Sequence, residues 1–196
     1  MEKPLKAIDR KRCDWVPLDK PDYVCYHDTE WGVPVHDDKR LFEMLILEGA
    51  QAGLSWYTIL KRRAGYRAAF KDFDVVKVSE MSDAELESIL NNADIIRNRL
   101  KVFSARKNAR IFHSMQQEFG SFSAYLWAFV DGNPLINRYV SLQDVPTRTS
   151  ISDAISKDLK KRGMSFVGST IIYAYMQAVG MVDDHQTGCF KACPGK

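Results

Sequence analysis

Two pairs of zinc-ligand side chains sit at opposite ends of this 196-residue chain: Cys13 with His27, and His185 with Cys189 in the run His-Gln-Thr-Gly-Cys. If the pairs share one metal, it clasps the two termini and removes loop-closure freedom from the unfolded chain. Two thiols and two imidazoles make a closed tetrahedral site, whereas a catalytic zinc keeps one position open for water, so the natural reading is a structural clasp. The split spacing is not that of a compact zinc finger. Cys25 and Cys193 also lie nearby and bring the candidates to six for four places. The plain alternative is a set of buried thiols and surface imidazoles with no metal at all.

The length suits one domain with a sizeable core, and the apolar content of 45% supports that. A formal net charge of +3 permits nucleic acid as a partner without demanding it. The charged start has no apolar signal region, and no apolar stretch is long enough to span a bilayer. These features point to a soluble, cytoplasmic protein of a reducing compartment, with its cysteines as ligands or free thiols rather than disulfides.

Residues 1–12 read as a charged, weakly ordered tail before a single domain over 13–196. Most of the remainder reads as helix, so the fold class is mainly α. Asp37 and Asp38 precede an apolar stripe at Leu41, Phe42, Leu45, Gly49 and Ala52. Ser82-Asp-Ala-Glu85 is a capping box opening a helix through Leu86, Ile89 and Leu90. A turn at Asn91–Asp94 leads to a second helix from about Ile96 past Lys101, Phe103 and Lys107. Further helices are expected over Phe122–Val130, over Ser152–Arg162 closed by Gly163, and over Val167–Val179 stopped by Gly180.

Glu48 stands out because, at about 100° per residue, it falls in the stripe of Leu41 and Leu45 rather than on the solvated face. A buried carboxylate is costly unless something cationic meets it, which makes such positions candidate functional sites. The alternative is a glutamate near a helix end that reaches water or a structural arginine. Tyr23, Tyr26 and Trp31 precede this helix, and Trp56 and Tyr57 follow it. Aromatic faces beside an acid suit a flat cationic ligand, although such rings more often serve as packing. The segment 82–110 reads as two helices joined by a tight turn with many basic residues on the second, the pattern of a helix-hairpin-helix against DNA phosphates or of an ordinary solvated helix. Lys160, Lys161 and Arg162 form a second basic cluster.

Four stretches carry a specific resemblance: Arg12-Cys-Asp-Trp15; Tyr23-Val-Cys-Tyr-His-Asp-Thr-Glu-Trp-Gly-Val-Pro34; Leu41 through Trp56; and Lys160-Lys-Arg-Gly-Met-Ser-Phe-Val-Gly-Ser-Thr170 running on to Asp184-His185. Together they resemble the bacterial family of 3-methyladenine DNA glycosylase I over nearly everything after the tail. The resemblance implies a helix-hairpin-helix DNA glycosylase fold with one structural zinc per chain. It implies Cys13, His27, His185 and Cys189 as the ligands, leaving out Cys25 and Cys193. It places Tyr23, Tyr26, Glu48 and Trp56 at the base-binding positions, with Glu48 open to a catalytic role. It further implies a hairpin at Asn91–Ile96, with Asn92, Arg97, Arg99 and Lys101 facing the DNA.

The implied activity is hydrolysis of the N-glycosidic bond of 3-methyladenine in double-stranded DNA, by a monomeric, monofunctional enzyme without lyase activity. A non-catalytic zinc-stabilised DNA-binding module explains the clasp and the basic helix but does not need Glu48 buried. A zinc-dependent hydrolase is disfavoured by four protein ligands.

Overall fold

The computed structural model describes residues 10–192. Its helices begin with α1 (Pro21–Thr29), α2 (Asp38–Gln51), α3 (Trp56–Leu60), α4 (Arg63–Ala69) and α5 (Val75–Glu80). There follow α6 (Asp83–Ile89), α7 (Arg99–Phe119), α8 (Phe122–Trp127), α9 (Ser150–Lys161) and α10 (Ser169–Ala178). Two short strands, β1 (Leu135–Ile136) and β2 (Val182–Asp183), pair in parallel with Leu135 opposite Val182. The expected mainly helical class holds. No helix among the described residues is long and apolar enough to cross a membrane.

Helix α2 is the central element. Asp37 caps it, accepting from the Arg40 N–H at 2.9 Å, and every residue from Leu41 to Ala50 is buried. A one-sided stripe was expected, but α3, α7, α8 and α10 all pack on this helix and cover it on every side. Asp38 in its first turn accepts from the Phe122 N–H at 2.9 Å, the Ser123 N–H at 2.8 Å and the Gln116 side chain at 2.7 Å. It thereby satisfies two N–H groups at the start of α8 that no intrahelical carbonyl can reach.

The capping box at Ser82 forms, with Ser82 N–H to Glu85 Oε2 at 2.9 Å and Glu85 N–H to Ser82 Oγ at 3.2 Å. The helix after it starts later than the pattern suggested. Asn98 caps α7 through the Lys101 N–H, so the helix begins at Arg99 rather than near Ile96. The residues before it are held in an irregular connection by burial of Ile95 and by the Tyr66 hydroxyl, which accepts from the Ile96 N–H. Neither Asn91 nor Asn92 takes the left-handed conformation. Instead the Asn92 side chain accepts from the Asp94 N–H at 2.8 Å and shapes the turn that way. Helices α1, α3, α4 and α5 were not foreseen, since each is too short to develop a clear period.

The chain's two ends are stitched together. Gly32 N–H donates to Gln177 O and Val35 N–H to Val179 O, each at 3.0 Å. Gly180, expected as a helix stop, has φ +70, and a Cβ there would lie 2.4 Å from the backbone of Val33 and Pro34. Arg12, placed by its sequence in the charged tail, is buried and pairs with Asp28 at 2.6 Å. Residues 1–9 of that tail lie outside the described residues. Asp38→Ala removes three acceptor contacts at once and is expected to cost about 1–3 kcal/mol, read as a lower urea midpoint with the helix content retained.

Candidate active site

A cavity of about 410 Å³ opens between α1, α2, the start of α3 and α10. Tyr23 and Tyr26 reach it from α1, Glu48 from α2 and Trp56 from the first position of α3, so the four residues expected at a base pocket do line one space. Tyr26 and Trp56 have ring centroids 5.3 Å apart at 44°. A flat base between two rings needs two stacking gaps of about 3.5 Å each, so this pair forms one continuous wall rather than a slot. Tyr23 continues the wall, 6.4 Å from Tyr26 and 5.4 Å from Trp15.

Glu48 and Glu43 lie on the same buried helix and meet opposite environments. Glu43 receives Arg63 Nε at 2.8 Å, Arg67 Nε at 2.7 Å and Arg40 Nη1 at 2.7 Å. Burial alone raises its carboxyl, but the arginine hydrogen bonds outweigh that and hold it down to about 2. Glu48 has no such partner, and burial pushes it up to about 8. Its Oε2 and the Trp56 Nε1 are both buried without a hydrogen-bonding partner among the described residues. The cavity therefore carries one unmet acceptor and one unmet donor, a state that a ligand relieves. Burial, and after it the charge of Glu48, raises the Tyr23 and Tyr26 phenols, so both keep their protons.

Behind Tyr23 and Tyr26, Cys13, His27 and Cys189 offer ligand atoms within 4.8 Å of one another, all three residues buried. His27 Nε2 lies 3.5 Å from Cys189 Sγ. The neighbouring Cys13, with His27 beside it, holds the Cys189 thiol down to about 4, while the proximity of Cys189 and burial push the Cys13 thiol up. His185 stands outside that group of three, but its ring centroid is 5.2 Å from that of His27 and its buried Nε2 has no hydrogen-bonding partner among the described residues. Asp28 meets His27 Nδ1 at 2.8 Å and Asp183 meets His185 Nδ1 at 2.7 Å. Each imidazole thus keeps Nε2 for the interior, the orientation that carboxylates give metal-binding histidines. Gly32 permits the approach, since a Cβ there would meet the His185 ring at 2.7 Å. Cys25 is exposed and outside the cluster, and Cys193 lies outside the described residues.

The sequence profile of the methyladenine glycosylase family matches residues 15–192. The chain belongs to this family. It is 51% identical to DNA-3-methyladenine glycosylase 1 of Escherichia coli (strain K12) over 91% of its own length and 95% of that protein. Against DNA-3-methyladenine glycosylase of Haemophilus influenzae the identity is 45%, over 91% and 96%. A crystal structure of 3-methyladenine DNA glycosylase I superposes with a TM-score of 0.89 at 52% identity, covering 92% of this chain and 98% of the other. A second structure, from Staphylococcus aureus and described as the basis of 3-methyladenine recognition, gives 0.87 at 35% identity, covering 90% and 94%.

Within this methyladenine glycosylase the four residues expected to face DNA are less uniform than the sequence implied. Arg97 is exposed, and Arg99 pairs with Glu87. Asn92 shapes its own turn. Lys101 points inward, donating to Ala50 O at 2.8 Å and Ala52 O at 2.6 Å, where it answers the carbonyls ending α2. Arg106 and Arg110 likewise bind Met81 O and Ser79 O. Much of the basic helix is therefore internal bracing. The sequence reading missed the opposite wall: Tyr173, Gln177 and Asp184, and the segment holding Leu142, Val145 and Pro146. Only Asp184 had a sequence signal, its place beside His185.

The raised Glu48 carboxyl makes a signed prediction. Between the unfolded value near 4.3 and the folded value near 8 the native state holds a proton that the unfolded chain has lost, so stability falls as pH rises through that window. Glu48→Gln should flatten this slope, raising the unfolding free energy at pH 8 by a few kcal/mol and leaving it nearly unchanged at pH 4, as read from urea curves at both values.

Proposed function

We propose that this chain removes 3-methyladenine from alkylated double-stranded DNA by hydrolysing its N-glycosidic bond. The observation that carries the reading is the buried Glu48, with one oxygen unmet, beside the unmet Trp56 indole in an aromatic cavity. Two relatives are named for this activity, and the Staphylococcus aureus structure is described by its recognition of the same base.

Methylation at N3 makes the bonded base cationic, so it leaves without further protonation. The lesion is extruded from the duplex and enters the cavity against the Trp56 ring, on the wall continued by Tyr26 and Tyr23. Glu48 accepts from the base's amino edge and, in meeting the cation, gives up the proton that burial had favoured. The C1′–N9 bond breaks with its electron pair going to the base, which departs neutral. Water oxygen bonds to C1′ and releases its proton to solvent. Glu48 acts chiefly in recognition, and the enzyme is read as monofunctional, with water and not a protein amine as the nucleophile. A non-catalytic DNA-binding module has no use for this buried acid. The paired helices α6 and α7 are the candidate helix-hairpin-helix, with Arg97 and the N-terminal turn of α7 toward the phosphates of a monomer's single site.

Cys13, His27, His185 and Cys189 fit one structural zinc. The orphaned His185 Nε2 is the observation that adds the fourth ligand to the group of three. Zinc bound there contributes cross-linking between the chain's two ends and takes no part in hydrolysis. The purified protein is expected to carry one zinc per chain, and its removal to lower the melting temperature by roughly 10 °C. Metal-free protein with an unchanged melt excludes the clasp.

The activity is tested by single-turnover release of 3-methyladenine from methylated DNA. Glu48→Gln is expected to slow release about tenfold or more, and Trp56→Ala to weaken binding of the free base by a similar factor with the fold intact. Unaltered release and binding in Glu48→Gln would remove that residue from the mechanism.

A further inference from the structure

The protein carries a formal net charge of +3, yet among the described residues the cavity wall contains two carboxyl residues, Glu48 and Asp184, and no lysine, arginine or histidine. Asp184 is 2% exposed. Its Oδ2 accepts from the Tyr173 hydroxyl at 2.7 Å and from Gln177 Nε2 at 2.8 Å, and its Oδ1 from Asn137 Nδ2 at 2.7 Å. All three donors are neutral. Among the described residues no lysine, arginine or histidine lies within ion-pair distance of it, since Arg138 and the His185 ring both turn to the neighbouring Asp183.

Such a site stabilises a carboxylate through hydrogen bonds while leaving its charge uncancelled. The donors also arrive from two places, α10 and the strand-like run after β1, so the group is fixed in position. Glu48 presents an open oxygen to a ligand, whereas both Asp184 oxygens are already engaged. Its effect on a ligand is therefore that of a field and not of a contact. Inside a cavity of low dielectric such a field acts over several ångströms with little screening.

We infer that Asp184 is a specificity-determining residue, a fixed negative charge that favours a cationic nucleobase over a neutral base of the same shape. The inference rests on the glycosylase reading for the identity of that cation. It explains why a DNA-binding protein keeps its base cavity free of cations: undamaged adenine, which is neutral, gains nothing from the field. It also adds to Glu48, which meets the hydrogen-bonding edge and ionises against the cation, a second negative charge that acts without touching the base.

Binding is measured by quenching of the cavity tryptophans with two probes. One is 3,9-dimethyladeninium, a permanent cation whose 9-methyl stands for the sugar, and the other is its neutral isostere with carbon in place of N3. Wild type should bind the cation at least about tenfold more tightly, the size expected of one charge across a partly buried site. Asp184→Asn should reduce that ratio severalfold while leaving the neutral probe's Kd unchanged. Asn137→Ala, which removes one donor and leaves the charge, should keep the ratio. Glu48→Gln should retain a residual preference for the cation, and this arm holds even if Asp184→Asn does not fold. Equal binding of both probes by wild type, an unchanged ratio in Asp184→Asn, equal loss of the ratio in Asn137→Ala, or no residual preference in Glu48→Gln each overturns the inference. Release of 3-methyladenine from DNA by wild type is followed in parallel, so that a protein preferring the cation but releasing no base counts against the activity and not against Asp184.

Discussion

Burial of α2 on every side is the constraint from which the rest of the structure follows. A helix in that position is expected to be wholly apolar, and this one carries two glutamates five residues apart. Each must be answered, because an unpaired buried carboxylate costs several kcal/mol, of the order of the whole stability margin of a domain. Glu43 is answered inside the fold by three arginines. Two of these, Arg40 and Arg63, also bind Glu30, which ties the end of α1 to α2 and α4. Glu48 receives no such answer among the described residues. The fold thus holds α1 firmly with one carboxylate while leaving the other unmet in the cavity that α1 helps to form.

The remaining walls are positioned by the joining of the chain's ends. His27 follows directly on Tyr26, so whatever fixes the cysteine and histidine cluster also fixes the aromatic wall. On the far side, Asp183, Asp184 and His185 occupy three consecutive positions with three separate tasks: orienting an imidazole, collecting neutral donors, and offering Nε2 to the interior. β1 pairs with this same stretch and brings the Leu142–Pro146 segment over the cavity. The architecture concentrates its polar precision on a few residues near the C-terminus and leaves the bulk of the core to apolar packing.

What could be read beforehand divides along the range of the forces involved. Caps and stops were legible because their partners lie within one turn of chain: the Ser82–Glu85 box and Gly180 beyond α10, while Asp37 and Asp38 were read for their charge at the start of α2. Glu48 was legible because helical period alone sets it among leucines. The internal role of Lys101 was not legible, since its basic character is plain in sequence while its partners, Ala50 O and Ala52 O, are some fifty positions away. The short helices α1 and α3–α5 escaped for a related reason, as elements of five to nine residues owe their stability to packing rather than to propensity.

By itself, the sequence determined a mainly helical chain, its family through motifs spanning both ends, a buried acid among aromatic residues, and the residue types that can hold a metal. Those properties depend on local period and on residue chemistry, which travel with the sequence. Only the tertiary structure decided that Tyr26 and Trp56 form one wall and not a slot, that the basic helix mostly braces its neighbours, and that Glu43 is paired with arginines while Glu48 is not. It alone gathered Asn137, Tyr173 and Gln177 around Asp184. The reason is physical: whether a charge is paired, stranded or solvated depends on which distant side chains share its few cubic ångströms, and that is settled by packing.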